Sequence, residues 1–252
     1  MKLDWLGKYS LITFEEIDST NSEALRIASS GVSDDFVILS KIQTGGRGTK
    51  GRYWASMAGN LHASILLESE SAPKRNAQLS FVIANAVYEA VKHFAKVQNI
   101  NLNMKLKWPN DVLIDGHKLA GILLESISIK DKNYVVIGFG VNILHAPKID
   151  RKTISLNDLG IEINDPNEFL NILMSKFEKL YHQWKLENNF ARTRKNWLRR
   201  AYNLNKAVTI DDGVKRVSGV FKDIDLDGAM RLQLASGQYC NIVSGELIQE
   251  DA

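Results

Sequence analysis

The sequence predicts an α+β protein: a mixed β-sheet domain carrying helices, followed by a small β-rich unit. Three observations lead to that class. As far as Tyr202, apolar runs of strand length alternate with longer segments whose apolar residues recur at helical spacing. Strand candidates in the middle of the chain are joined by tight polar turns, Asp115-Gly116 above all, and such turns make antiparallel neighbours. Beyond Asn203 the helical spacing stops, and short strands separated by Asp212-Gly213, Asp227-Gly228 and Ser236-Gly237 suggest a small β-barrel.

The elements follow in order. Thr20-Asn21-Ser22-Glu23 reads as a capping box, in which the threonine oxygen accepts from a first-turn amide and the glutamate reaches back, so a helix runs from about Asn21 to Ser29. Phe36–Ser40 and Leu61–Leu67 read as strands, and Gln78–Lys96 as a helix with Leu79, Val82, Ile83, Ala86, Val87 and Ala90 on its buried stripe. Apolar strands follow near Val112–Ile114, Leu119–Ile129 and Tyr134–Val141, the last two joined by the polar turn Lys130-Asp131-Lys132-Asn133. Helices are expected over Asn167–Glu187 and Phe190–Tyr202, and the domain boundary falls between 1–204 and 205–252.

Bulk properties exclude several classes. At 252 residues with 44% hydrophobic and 24% charged side chains, the chain can bury a full core and is neither disordered nor collagen-like. No apolar run approaches the roughly 18 residues of a membrane span, and the first residues lack the apolar core of a signal peptide, so a cytoplasmic location is the expectation. Cys240, the only cysteine, leaves no internal disulfide and no multi-cysteine metal site, and its strand context suggests a buried structural thiol. The five histidines show no ligand spacing, so a metal is expected only with a nucleotide. The net charge of +3 is too small to argue for nucleic acid, and Arg192, Arg194, Lys195, Arg199 and Arg200 read as the solvated face of a helix packed through Phe190, Trp197, Leu198 and Tyr202.

The chemistry concentrates in two segments. Thr44-Gly-Gly-Arg-Gly-Thr-Lys-Gly-Arg52 sets four glycines and three cations in nine positions, which frees the backbone to turn several amides toward one anion and adds arginine clamps. A flexible surface loop is the plain alternative. Gly46-x-Gly48-x-x-Gly51 formally matches a dinucleotide fingerprint, with Glu68 near the acidic position. That fold needs a helix to start at the loop, however, and Arg52–Asn60 is too short and ends in Gly59-Asn60. A Walker loop is excluded because Gly51 follows Lys50. What remains is a loop between strands that can bring two anions together, as adenylation of a carboxylate by ATP requires.

The second segment is Lys105-Leu-Lys-Trp-Pro-Asn-Asp111, which runs into the Asp115-Gly116 hairpin. A two-residue turn there places Asp111 opposite Ala120 and Leu113 opposite Lys118. Asp111 and Lys118 then share a sheet face about 7 Å apart at Cβ. An exposed ion pair and a functional pair are both open, and the bend fixed by Pro109 favours a site. In Gly138-Phe-Gly-Val-Asn142, glycines at alternate positions strip one face of a strand, which suits either a close-lying ligand or a bulge.

Ser19-Thr-Asn21, Gln43 with Gly46-Arg-Gly-Thr-Lys-Gly-Arg52 and Trp54, Lys107-Trp-Pro-Asn-Asp111, Lys118-Leu-Ala-Gly121 and Gly138-x-Gly-Val-Asn142 together closely resemble the biotin protein ligases, in order and at family-like spacing from Ser19 to Asn142. The resemblance implies a mixed sheet with helices on one side and an SH3-like C-terminal barrel. It implies a two-step reaction: biotin and MgATP give biotinyl-5′-AMP, and a lysine of a biotin carboxyl carrier protein, such as that of acetyl-CoA carboxylase, then attacks it. The implied biotin residues are Ser19, Thr20, Gln43, Gly46, Arg47, Lys118, Gly121 and Gly138. The nucleotide residues are Arg52, Trp54, Lys107, Asn110, Asp111 and Asn142, with Arg47, Lys107, Asp111 and Lys118 carrying the catalytic charge. No enzyme nucleophile is needed and no tightly bound metal beyond Mg2+ with ATP.

Two departures stand out. Thr49 replaces an arginine common in the family's loop, which predicts a looser grip on the adenylate unless Lys50 supplies the charge. Only 18 residues precede Ser19, too few for the DNA-binding domain that some members carry, so the enzyme without DNA binding is expected, as a monomer or homodimer. The rivals are a lipoate or octanoate ligase and a non-catalytic nucleic-acid-binding module using the basic helix.

Overall fold

The structure, a computed structural model, describes residues 1–31, 34–71, 73–149, 152–186 and 190–248. The chain opens with a hairpin not expected from the sequence, β1 (Lys2–Leu6) and β2 (Tyr9–Ile17), whose alternation is blurred by exposed residues on both faces. Helix α1 (Thr20–Ser29) leads to β3 (Phe36–Gln43), and β4 (Leu61–Glu68) follows the glycine-rich loop. A short α2 (Pro73–Ala77) and the long α3 (Leu79–Val97) precede β5 (Met104–Lys107), β6 (Asp111–Ile114), β7 (His117–Ile129) and β8 (Lys132–Val141). These strands form one sheet in the order β1-β2-β3-β4-β8-β7-β6-β5. Only β2 and β3 are parallel, so the sheet is mixed.

The sheet is covered on both faces, which corrects the expectation of helices on one side. Along β8, Val135, Ile137, Phe139 and Val141 enter the large core with α3, while Val136 points the other way and packs with Ala24 and Ala28 of α1, Ile38 and Leu66. Alternation along a strand makes this division automatic. The large core also takes in α4 (Pro166–Leu186) and α5 (Ala191–Leu198), through Phe169, Leu173, Phe177 and Trp197. Residue 187, the expected end of α4, lies outside the described residues.

Helix α1 begins one residue earlier than the expected capping box. Ser19 is the N-cap and accepts from the Ser22 amide at 3.4 Å. Thr20 is instead drawn into the protein, where its hydroxyl and amide both donate to Gln43 Oε1. Glu23 pairs with Arg26 rather than closing a box. Two hydroxyl residues in a row can each cap, and tertiary hydrogen bonding chose between them.

The C-terminal strands β9 (Ala207–Asp211), β10 (Arg216–Ile224), β11 (Met230–Gln233), β12 (Tyr239–Ile242) and β13 (Glu246–Ile248) form an antiparallel sheet ordered β12-β11-β10-β9-β13. The pairings among the described residues do not close it into a barrel. Its apolar side, with Ile210, Phe221 and Leu232, merges with the large core. The buried Trp108 indole donates to Gly228 O at 3.1 Å, tying the turn before β11 to the segment that precedes β6. Arg194 is fixed on Asp223 and Arg200 on Glu89, so part of the expected solvated basic face is ion-paired packing. Cys240 sits half-buried on β12 rather than in the core.

Candidate active site

The α1 side of the sheet holds a cleft, and strand register explains its floor. His62 on β4 lies opposite Gly140 on β8, Gly140 opposite Gly121 on β7, Gly121 opposite Asp111 on β6, and Asp111 opposite Lys107 on β5. Directly paired residues share a face, so two glycines form a bare strip between a histidine and a charged pair. The expected partner of Asp111 was Ala120. A bulge between Val112 and Leu113 moves Asp111 by one residue, into line with the glycines, while Leu113 faces Lys118 as expected. The ion pair forms, with Lys118 Nζ 2.6 Å from Asp111 Oδ1.

The strand pairings at Gly138 and Gly140 run without a break, so a bulge does not explain these glycines. Their lack of a side chain is used by neighbours. A methyl at Gly140 would stand 2.4 Å from the Trp54 ring, and one at Gly138 only 2.1 Å from Asn21 Oδ1. Trp54 therefore lies on the glycine strip, with the Lys118 ammonium 5.4 Å from its ring centre. Its indole N–H donates to His62 Nδ1 at 3.4 Å, and His62 Nε2 faces Met57 O at 3.3 Å. Both contacts need the neutral ring protonated on Nε2, and burial holds it neutral by pushing its pKa down to about 4. At Gly46, a methyl would collide with Trp54 O at 2.7 Å, so this glycine lets the loop close on the tryptophan.

One end of the cleft is polar and uncharged. Thr20 and Gln43 are joined by two hydrogen bonds, Ser64 Oγ lies 2.8 Å from Thr20 Oγ1 and 2.6 Å from Asn21 Oδ1, and Ser19 completes the rim. The other end carries cations. Lys118 is bound to Asp111, Arg52 to Glu246 of β13, and the Lys107 pKa is lowered, chiefly by burial and against the pull of Asp111 and Glu246. Arg47 reaches between the ends and bonds Ser22 Oγ at 2.8 Å and Glu125 Oε2 at 3.1 Å.

Of the expected site residues, Ser19, Thr20, Gln43, Arg47, Arg52, Trp54, Asn110, Lys118, Gly121, Gly138 and Asn142 line this cleft. Gly46, Lys107 and Asp111 stand behind that lining, joined to it through Trp54, Asp111 and Lys118 respectively. Asn110 and Asn142 are partly structural: the Asn110 amide donates to Ile122 O at 2.7 Å and that of Asn142 to Ile154 O at 3.1 Å. Among the described residues, the buried Asn142 Oδ1 has no hydrogen-bond partner. Sequence reasoning missed Glu125, Ser64 and His62. Glu125 stands four residues along β7 from Gly121, on the same face, so period-2 counting would have reached it, whereas His62 and Ser64 enter the site only through the pairing of β4 with Gly140 and Gly138 of β8.

The chain resembles known proteins along most of its length. Residues 13–142 match the model of the biotin/lipoate A/B protein ligase family. A biotin–acetyl-CoA-carboxylase ligase of Paracoccus denitrificans is 36% identical over 228 residues, covering 88% of this chain and 93% of its own. The enzyme of that name from Mycobacterium tuberculosis is 32% identical, with 96% of this chain and 90% of its own covered. Among solved structures, the biotin protein ligase of Aquifex aeolicus in complex with biotin and ATP superposes with a TM-score of 0.77 at 27% identity, over 94% of this chain and 97% of its own.

Proposed function

The chain belongs to the biotin/lipoate A/B protein ligase family, and from that premise we infer that it is an ATP-dependent biotin–acetyl-CoA-carboxylase ligase. It adenylates biotin to biotinyl-5′-AMP and transfers biotin to a lysine of the carrier protein of acetyl-CoA carboxylase. The observation that carries the reading is a single cleft with an uncharged hydrogen-bonding cluster at one end and Lys118, Lys107 and Arg52 at the other. Biotin has a neutral ureido head and an anionic tail, and ATP brings more negative charge to meet that tail.

In the first step a biotin carboxylate oxygen attacks the α-phosphorus of ATP, and pyrophosphate leaves. Two anions must approach, so the barrier falls where fixed cations meet the charge on the shared phosphate. Lys118 and Arg47 fill that role, with Asp111 holding the Lys118 ammonium in place. Ser19, Thr20 and Gln43 bond the ureido group, and Gly121 and Gly138 give biotin room against the sheet. Trp54 offers an aromatic face to adenine, while Arg52, Lys107, Asn110, Asp111 and Asn142 form the nucleotide half. Mg2+ enters with ATP as part of the substrate. In the second step the ε-amine of the carrier lysine attacks the acyl carbon, AMP leaves with the bonding electrons, and the amine loses a proton to give the amide. No enzyme nucleophile takes part. The C-terminal unit (205–252) is an SH3-like domain appended to the catalytic domain (1–204), and its β13 touches the nucleotide half through the Arg52–Glu246 pair.

ATP–pyrophosphate exchange tests the reading. Exchange is expected with biotin and not with lipoate or without acid. Exchange driven by lipoate would move the protein to the lipoate branch of the family, and none with any acid in folded protein would overturn the assignment.

A further inference from the structure

Arg47 is flanked by Gly46 and Gly48, and the loop backbone is held by the pairing of Arg47 with Tyr53 and by the bonds of Trp54 N to Gly46 O and of Gly48 N to Arg52 O, which leaves the long Arg47 side chain to be ordered. Among the described residues, no hydrogen bond from within the loop fixes that side chain. What holds it comes from elsewhere: Ser22 Oγ accepts from Nη1 at 2.8 Å, and the Glu125 carboxylate accepts from Nη2 at 3.2 and 3.1 Å. The same carboxylate accepts from the Asn21 amide at 2.7 Å, and Asn21 Oδ1 is in turn 2.6 Å from Ser64 Oγ. Flipping the Asn21 amide would turn its oxygen onto the carboxylate, so its orientation is fixed by charge. Glu125 thus joins the loop, α1 and β7 at the point where the neutral end of the cleft meets its cations.

We propose that Glu125 is the positioning residue for Arg47, presenting the guanidinium to the carboxylate of the incoming acid. The proposal rests on the biotin reading above. Glu125 occupies Nη2 and Ser22 occupies Nη1, and among the described residues no hydrogen bond takes Nε, so the guanidinium keeps donors for a substrate. A carboxylate beside the clamp also repels an anionic substrate. The pair is partly exposed, with 39% of the Arg47 side chain and 29% of the Glu125 side chain accessible, so that repulsion is screened. Orienting an arginine on a glycine-flanked loop saves ordering entropy that binding would otherwise spend, and this gain outweighs the screened repulsion. The same exposure makes Glu125 a small contributor to folding, so its removal leaves the fold intact.

The test is equilibrium binding of biotin and of uncharged biotinamide to wild type and Glu125→Gln, which keeps shape but leaves one fewer acceptor for Arg47 and Asn21. Biotin affinity is expected to fall roughly tenfold, the scale of one charge-assisted hydrogen bond, while biotinamide affinity stays within about twofold. Glu125→Asp, which keeps the charge but retracts it, should fall between. Unchanged biotin affinity in Glu125→Gln, or equal loss for both ligands, overturns the proposal. Failure of the wild type to bind biotin would instead overturn the functional reading.

Discussion

The two faces of β8 are built from alternating residues of one strand, yet they obey different rules. On one side Val135, Ile137, Phe139 and Val141 fill a core that α3, α4 and the C-terminal sheet close completely. On the other, Val136 packs under α1, but Gly138 and Gly140 give up their side chains so that Asn21 and Trp54 can lie on the backbone. The first face is optimised for packing. The second keeps polar side chains buried and paired, which costs stability that the first face offsets.

The comparison breaks most visibly at Ile137, fully buried on the packing face. Ile137→Ala should cost about 2–5 kcal/mol in urea unfolding, with the KM for biotin of the remaining folded enzyme little changed. A comparable stability in the variant would mean that the large core tolerates a void.

A second difference is electrical. His62 on the cleft face is held neutral with a pKa pushed from 6.5 down to about 4, whereas β8 presents only Val135, Ile137, Phe139 and Val141 to the packing face, none of them ionisable. Above about pH 6.5 the folded and unfolded states are both neutral at this ring. As the pH falls toward about 4 the unfolded chain binds a proton that the folded chain refuses. Stability therefore drops, by up to about 3 kcal/mol, and the loss is complete once the pH passes below the folded pKa. Unfolding midpoints at pH 7 and pH 4.5 should diverge more for wild type than for His62→Gln; equal divergence would show that His62 is not the buried base described here.

The smallest stability effect is expected at Gly138, next to Ile137 in sequence and on the opposite face. A methyl there meets Asn21 at 2.1 Å, and Asn21 is held at both ends by Ser64 and Glu125. Gly138→Ala should cost only about 1–3 kcal/mol of stability but raise the KM for biotin more than tenfold. A variant with wild-type KM would show that Asn21 is not needed where it stands.

Much of this was legible in the sequence. Helical spacing located α3 and α4, the Asp115-Gly116 turn located the β6–β7 hairpin, and the motifs between Ser19 and Asn142 marked many, not all, of the residues that line the cleft. What stayed hidden has two causes. The β1–β2 hairpin carries exposed apolar residues, Leu3 and Trp5 among them, so alternation did not announce it. The one-sided arrangement of helices failed because nothing within α1 says which face of a sheet it will meet.

The sequence alone, then, determined the long helices and most strands from β3 onward, that the glycine-rich loop lies between two strands, and which family's chemistry the chain carries, since these depend on residues close together in the chain. Only the tertiary structure decided that the Asp111 bulge aligns the charged pair with a glycine strip, that Trp54 lies on that strip, and that Glu125 holds Arg47. The Arg47–Glu125 contact spans 78 positions and that of Asn21 with Glu125 spans 104. Both rest on strand register, where a slip of one residue sends every side chain to the opposite face.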